Sequence, residues 1–235
     1  IIMTNLKHYY INDDMFEIGI DESGRGPLFG RIYTGAVVLP KDESFDHSLM
    51  CDSKKIKSFK KLEKISEYIK NNAISWSVNY ESNETIDKIN IRQSVLKCMQ
   101  SSAICVLKKL DISNANILVD GIDFKPLTHY YNNELVPCKH YCIKSGDNTY
   151  TSIAAASILA KYERDKYILE LCDNYPILDE YYSLRSNKGY GTKKHLDGIN
   201  NYGITEWHRK SYGICKDKKT LTFEIKIKKK SFFNV

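Results

Sequence analysis

The order of hydrophobic and polar residues predicts strands and helices in the first third of the chain. Residues 15–20 and 31–39 are rich in β-branched and other apolar residues, which is typical of strands, and the glycine-rich residues 24–30 join them. Residues 58–69 carry apolar side chains at helical spacing, and Ser58 is suited to the N-cap. Residues 73–80 alternate as a strand does. We therefore predict two strands, a helix and a third strand in this region.

The same two patterns continue through the rest of the chain. We predict a long helix over 86–110, a short strand over 116–119 that leads into Asp120, an irregular loop over 123–135, a strand near 139–144, an alanine-rich helix over 153–172 and an edge strand over 223–228. Tyrosine- and glycine-rich segments follow residue 172 without a clear pattern. Because strands alternate with helices, the pattern predicts an α/β domain.

Composition narrows the class of protein. Hydrophobic residues make up 42% and charged residues 27%, as in ordinary soluble globular proteins. No apolar run is long enough to span a membrane, and the first residues lack the order of a secretory signal. We therefore expect a cytoplasmic location, and a nuclear or organellar one is not excluded. The seven cysteines are an odd number and scattered, so we expect reduced thiols.

One cluster resembles part of a zinc site. Cys138, His140 and Cys142 lie within five residues. A closed zinc site needs four ligands, usually from two clusters, and the sequence offers no second cluster. We therefore do not predict zinc.

Positive charge is concentrated at the C-terminal end. The net charge is +6, and residues 216–235 contain seven lysines and two acidic residues. We predict one domain over 1–215 and a basic tail over 216–235. The tail could contact the phosphates of a nucleic acid, or it could be a solvated segment that aids solubility.

Four carboxylates are candidates for catalysis. Asp21 and Glu22 follow a predicted strand, Asp120 follows another, and Asp147 lies after a third. Clustered carboxylates repel one another, and Mg²⁺ or Mn²⁺ would remove that repulsion. Two such ions can promote phosphodiester cleavage. Taken singly, each acid is better explained as a turn or capping residue.

Six segments, in order, carry a resemblance to a known family. They are GIDESGRGPLFG at 19–30, DSKK at 52–55, VDG at 119–121, KSGDNTYTSIAAASILAKYERD at 144–165, KGYGT at 188–192 with His195, and Gly203 with HRKSY at 208–212. Together they closely resemble the signatures of ribonuclease HII, the type 2 ribonuclease H.

The resemblance implies a fold and an activity. The fold would be ribonuclease H-like, a mixed central β-sheet flanked by helices. The activity would be cleavage on the 5′ side of ribonucleotides in RNA–DNA hybrids and in DNA duplexes with embedded ribonucleotides, leaving a 3′-hydroxyl and a 5′-phosphate. The partners would be these nucleic acids, the cofactors two Mg²⁺ or Mn²⁺ ions, and the protein a monomer that binds no membrane.

The resemblance also implies a role for individual residues. Asp21, Glu22, Asp120 and Asp147 would be the catalytic metal ligands. Gly24, Arg25 and Gly26 would read the ribose 2′-hydroxyl, which Tyr190 would also contact, and Lys54 would hold a phosphate. Lys161 and Arg164 are further candidates for phosphate contacts, although lysines can simply form a solvated face. His195 and His208 would fix local structure, and residues 124–137 would be an inserted surface loop.

Two other classes remain as alternatives. A protein with this fold could bind nucleic acid without cutting it, but the presence of all four carboxylates argues against that reading. An integrase- or resolvase-like nuclease of the same fold would cut duplex DNA without ribonucleotides.

Overall fold

The structure is a computed structural model that describes residues 6–113 and 115–221. Its elements are β1 (Glu17–Ser23), β2 (Ile32–Val38), α1 (Phe59–Asn72), β3 (Ser75–Glu81), α2 (Asn83–Ile89), α3 (Ile91–Leu110), β4 (Asn116–Asp120), β5 (Leu127–Tyr131), β6 (Glu134–Cys138), β7 (His140–Ile143), α4 (Thr151–Asn174), α5 (Ile177–Tyr182), α6 (Leu184–Asn187) and α7 (Lys193–Tyr202).

Five strands form a mixed central sheet in the order β3-β2-β1-β4-β7. β1 pairs with β2, and β2 with β3, in antiparallel fashion, whereas β1, β4 and β7 are parallel. The carboxyl ends of the three parallel strands therefore lie at one edge of the sheet. The prediction of an α/β fold with a mixed sheet flanked by helices is confirmed.

Helices cover both faces of the sheet. On one face, α3 packs its apolar residues against side chains such as Ile18, Ile20 and Val119. On the other face lie α4 and, behind it, α1. Two glycines permit the close approach of α4: a Cβ on Gly19 would lie 2.2 Å from the backbone of Ser152, and one on Gly35 would lie 2.3 Å from the backbone of Ala156. Small residues on both partners thus bring α4 against β1 and β2.

The predicted helix over 86–110 is wrong as a single element, because the chain breaks at Asn90. This residue has φ 66° and ψ 163°, which is not a helical conformation, and it ends α2. Its side chain also accepts a hydrogen bond from the backbone N–H of Gln93 at 3.0 Å, so it caps α3. The apolar residues keep helical spacing on both sides of Asn90, so the hydrophobic pattern does not indicate the break.

The predicted irregular loop over 123–135 is also wrong. β5 and β6 form an antiparallel hairpin, in which Tyr131 lies opposite Glu134. The two residues between them, Asn132 and Asn133, both have positive φ, as a tight two-residue hairpin turn requires. Residues 124–137, which we predicted to be a surface loop, therefore contain a β-hairpin.

The segments after residue 172 form three short helices, α5 to α7, which the sequence pattern did not predict. Residues 216–221 run back along the domain, where the N–H of Leu221 donates to the carbonyl of Ile204 at 2.7 Å. The predicted edge strand over 223–228 lies outside the described residues. Within the described ranges, no helix is long and apolar enough to cross a membrane.

Candidate active site

Asp21 lies two residues before the end of β1, on the sheet face that α4 covers. Its side chain is buried, with 5% exposed, and Oδ1 accepts a hydrogen bond from the Glu22 N–H at 2.6 Å. The Ser157 hydroxyl on α4 is a further hydrogen-bond partner. Consecutive strand residues point to opposite faces, so Glu22 approaches the same edge from the other side.

Asp120 and Asp147 lie at the same edge of the sheet. Asp120 is the last residue of β4, which runs parallel to β1, and Asp147 lies in a single helical turn that follows β7. Asp120 Oδ1 accepts a hydrogen bond from the N–H of Gly146 at 2.6 Å. This contact ties the end of β4 to the turn that carries Asp147.

The carboxylates interact with one another electrostatically. Burial raises the pKa of Asp21 well above its usual value, and the charges of Glu22 and Asp120 raise it further. Burial likewise raises the pKa of Glu22, although Arg25, with Nη1 3.4 Å from Glu22 Oε1, partly offsets the effect. The pKa of Asp120 is raised by burial and by Asp147. The cluster thus carries negative charge that the protein does not fully compensate.

This donor set fits a hard divalent cation, because it offers carboxylate oxygens in a partly desolvated place. Within residues 6–113 and 115–221, however, no three His, Cys, Asp or Glu side chains are already grouped as a complete metal site. Among these residues, neither the four carboxylates nor Cys138, His140 and Cys142 form such a group. All seven cysteines are free.

Lys54 faces the carboxylates from a helical turn at Ser53–Lys55. Partial burial alone would lower its pKa, but the charges of Asp147, Asp52, Asp21 and Asp120 raise it above the usual value. The turn is fastened to α4, because the hydroxyls of Ser53 and Ser157 lie 2.9 Å apart. Since Ser157 also bonds Asp21, one serine connects the lysine-bearing turn with a catalytic candidate. The sequence analysis did not single out Ser157.

The turn that contains Gly24, Arg25 and Gly26 is held by Arg209, which is fully buried. The guanidinium donates to the carbonyls of Gly24 at 2.6 Å, Pro27 at 2.8 Å and Gly30 at 2.9 Å, with longer bonds to two neighbouring carbonyls. One side chain thus organises the whole stretch between β1 and β2. The motif containing Arg209 was noted in the sequence, but nothing there indicated its burial.

Arg164 is also buried and lies behind the same turn. Its Nη2 donates to the Phe29 carbonyl at 3.2 Å, and burial together with the charge of Arg209 lowers its pKa to about 10. The suggestion that Arg164 holds a phosphate does not fit this position, because a side chain 1% exposed cannot meet a solvent-borne phosphate. Lys161 instead pairs with Asp165 at 2.8 Å.

Tyr190 lies beside Gly26 with half of its surface exposed. A Cβ on Gly26 would lie 3.6 Å from the Tyr190 ring. The two substrate-reading candidates, the turn and the tyrosine, are therefore neighbours, although 164 residues separate them in the sequence.

Two buried histidines support the backbone of Tyr190. His208 Nδ1 accepts from the Thr205 N–H at 2.9 Å, so its proton lies on Nε2 and is donated to His195 Nε2 at 3.1 Å. His195 then donates from Nδ1 to the Tyr190 carbonyl at 3.0 Å. Burial lowers the pKa of both rings, that of His208 to about 3, so both are neutral near pH 7. This arrangement agrees with a structural role for the pair.

Comparison with known proteins identifies the family. The ribonuclease HII family model matches residues 18–215. A ribonuclease HII of Bacteroides thetaiotaomicron is 38% identical over 208 residues, which cover 88% of this chain and 94% of the relative. The fold is similar to that of ribonuclease H2 from Pyrococcus horikoshii OT3, with a TM-score of 0.64 and 22% identity over 86% of this chain and 95% of that one.

A second solved structure, Bst-RNase HIII in complex with Mn²⁺, has a TM-score of 0.54 and 18% identity over 85% of this chain and 72% of that one. At these identities the structural comparisons show the fold alone. The family model and the 38% identity to the Bacteroides protein show, in addition, common ancestry. The chain belongs to the ribonuclease HII family.

Proposed function

We propose that this protein cleaves the phosphodiester on the 5′ side of ribonucleotides, both in RNA–DNA hybrids and at ribonucleotides embedded in duplex DNA, and leaves a 3′-hydroxyl and a 5′-phosphate. Its family consists of ribonuclease H endonucleases that depend on divalent metals and act on RNA–DNA hybrids. The observation that carries the finer proposal is the close approach of Gly26 and Tyr190 at the edge of the sheet where the carboxylates lie.

Asp21, Glu22, Asp120 and Asp147 would hold two divalent ions, Mg²⁺ or Mn²⁺. Bound there, such ions supply an activated water and neutralise the charge that develops on the leaving oxygen. The raised pKa values of Asp21, Glu22 and Asp120 support this role, because these acids are costly to ionise without a cation nearby. The Mn²⁺ in the related ribonuclease HIII agrees with it.

The remaining candidates would position the substrate. Gly24, Arg25 and Gly26 bring backbone groups close to the ribose, where a 2′-hydroxyl distinguishes RNA from DNA. Tyr190 would stack on the sugar beside them, and Lys54 would hold a phosphate next to the carboxylates. The candidate residues come together within a single domain, so the site needs no residue from a second copy. We infer that the enzyme acts as a monomer and that the tail over 216–235 only assists binding.

A duplex with one ribonucleotide tests the proposed reaction. With Mg²⁺ or Mn²⁺ we expect a single cut on the 5′ side of the ribonucleotide and no cut in the all-DNA duplex of the same sequence, as read on a denaturing gel. Binding without incision under either ion would contradict the proposal and favour a non-catalytic binding protein. Cutting of the all-DNA duplex would favour an integrase- or resolvase-like nuclease.

Two glycine substitutions test the reading of the ribose. Gly26→Ala should keep the melting temperature of the wild type, because the added methyl has room, and should lower kcat/KM for the ribonucleotide duplex by about 10²-fold through displacement of the sugar. Gly24→Ala should instead destabilise the fold, since the residue has φ 103° and a Cβ would lie 2.2 Å from Arg164 Nε. A fully active Gly26→Ala enzyme would show that the sugar does not approach this position.

A further inference from the structure

A row of lysines begins at the carboxylate cluster and follows the first turns of α1. We call it the lysine ridge and define it as Lys54, Lys55, Lys57, Lys60, Lys61 and Lys64. All six lysines are exposed, and residues 54–64 contain only one acid, Glu63. This is the densest run of positive charge in the described part of the chain.

The ridge does not serve to stabilise α1. Among the described residues, none of the six lysines forms an ion pair with an acid. Lys60 and Lys61 also occupy the first turn of the helix, which contains no acidic residue. Cations at that end face the positive pole of the helix macrodipole, an arrangement that costs stability. The lysines therefore need another explanation.

The ridge has a defined position relative to the cleavage site. Its first member, Lys54, faces Asp147, Asp21 and Asp120, and the adjacent Ser53 is bonded to Ser157 of α4. From the start of α1 to Lys64 the helix rises roughly 8 Å, which corresponds to about two nucleotides along a duplex axis. A nucleic acid whose scissile phosphate lies at the carboxylates can thus extend along the lysines.

We propose that the lysine ridge binds the sugar–phosphate backbone of the duplex on one side of the cleavage point, beyond the phosphate assigned to Lys54. This proposal rests on the proposed function for the location of the scissile phosphate. It adds that the footprint is asymmetric, so that one flank of the duplex contributes binding energy and the other does not contact this surface. A dense group of exposed lysines suits a polyanion with repeating charges, because each contact with a phosphate releases a counterion.

The first test measures how binding depends on salt. Lys60→Gln combined with Lys61→Gln should reduce the slope of log Kd against log salt by about 1.8 on a metal-free, all-DNA duplex. The matched control is Lys108→Gln with Lys139→Gln, which removes the same charge from exposed residues at the opposite end of the parallel strands. The control should keep the wild-type slope. Equal slopes for both double variants would overturn the proposal.

The same variants separate binding from folding. Since the first-turn lysines oppose the macrodipole, Lys60→Gln with Lys61→Gln should leave the melting temperature unchanged or slightly raised. A marked fall in melting temperature would show that these lysines are structural, and would also overturn the proposal.

The second test asks which flank the ridge contacts. Duplexes with one ribonucleotide are shortened on the 5′ flank or on the 3′ flank. Shortening one of the two should weaken wild-type binding, and the Lys60→Gln, Lys61→Gln variant should be insensitive to that shortening alone. If shortening either flank weakens duplex binding by the variant as much as it weakens binding by the wild type, the ridge does not contact the duplex. Failure to cut any ribonucleotide would refute the proposed function and leave the salt test valid.

Discussion

Replacing Asp21 with asparagine is expected to lower the cleavage rate by about 10³-fold or more, because under the proposed function the variant would lose a charged metal ligand worth several kcal/mol in the transition state. Binding of a ribonucleotide duplex should persist, since the turn and Tyr190 are unchanged. Single-turnover cleavage and a separate binding assay measure the two effects. Asp14→Asn provides the control, because Asp14 is an exposed acid near the other end of β1. Retained cleavage by the Asp21 variant would contradict the assignment.

The same substitution should stabilise the metal-free protein. Folding raises the pKa of Asp21, so the folded state holds the proton more tightly than the unfolded state. The stability this provides is complete below the unfolded pKa and is lost as pH rises through the folded value. Asparagine does not ionise, so the melting temperature of the variant should exceed that of the wild type by an amount that grows as pH rises through that window.

Thermal unfolding in a chelator, measured between pH 4 and pH 8, checks this expectation. Addition of Mg²⁺ at pH 8 should then raise the melting temperature of the wild type more than that of the variant. If the two proteins show the same pH dependence without metal, Asp21 does not carry the uncompensated charge.

Replacing Arg209 with lysine should destabilise the fold by about 4 kcal/mol and lower the melting temperature by about 8–16 °C. The positive charge is kept, but a single ammonium cannot reach the separate carbonyls of Gly24, Pro27 and Gly30. Carbonyls left without a donor in a buried place each cost about 1–3 kcal/mol. Thermal or denaturant unfolding measures the change.

Arg185→Lys is the matched control. Arg185 is 41% exposed and bonds the surface acid Asp173, so its replacement should change stability by less than about 0.5 kcal/mol. If the two variants behave alike, the stretch between β1 and β2 does not depend on the guanidinium of Arg209.

Much of the sheet could be predicted because its signals are local. β-branched and alternating residues marked β1 to β4 and β7, and Ser58 marked the start of α1, where its side chain accepts from the Lys61 N–H. The two wrong predictions of secondary structure failed at asparagines. Asn90 interrupts a helical pattern, and Asn132 and Asn133 turn a hairpin, through backbone conformations that hydrophobic spacing does not encode.

The candidate site likewise combines features that the sequence predicts with contacts that only the fold creates. The sequence by itself determined the family, the types of residue at the site and the placement of Asp21 and Asp120 near the ends of strands, because these depend on short segments and their order. Only the tertiary structure decided that Arg209 is buried beneath the glycine turn, that Ser157 joins Asp21 to the Lys54 turn, and that Tyr190 lies beside Gly26. These contacts join residues that are more than 100 positions apart, and they follow from how α4 and the C-terminal helices pack against the sheet, which leaves no periodic trace in the sequence.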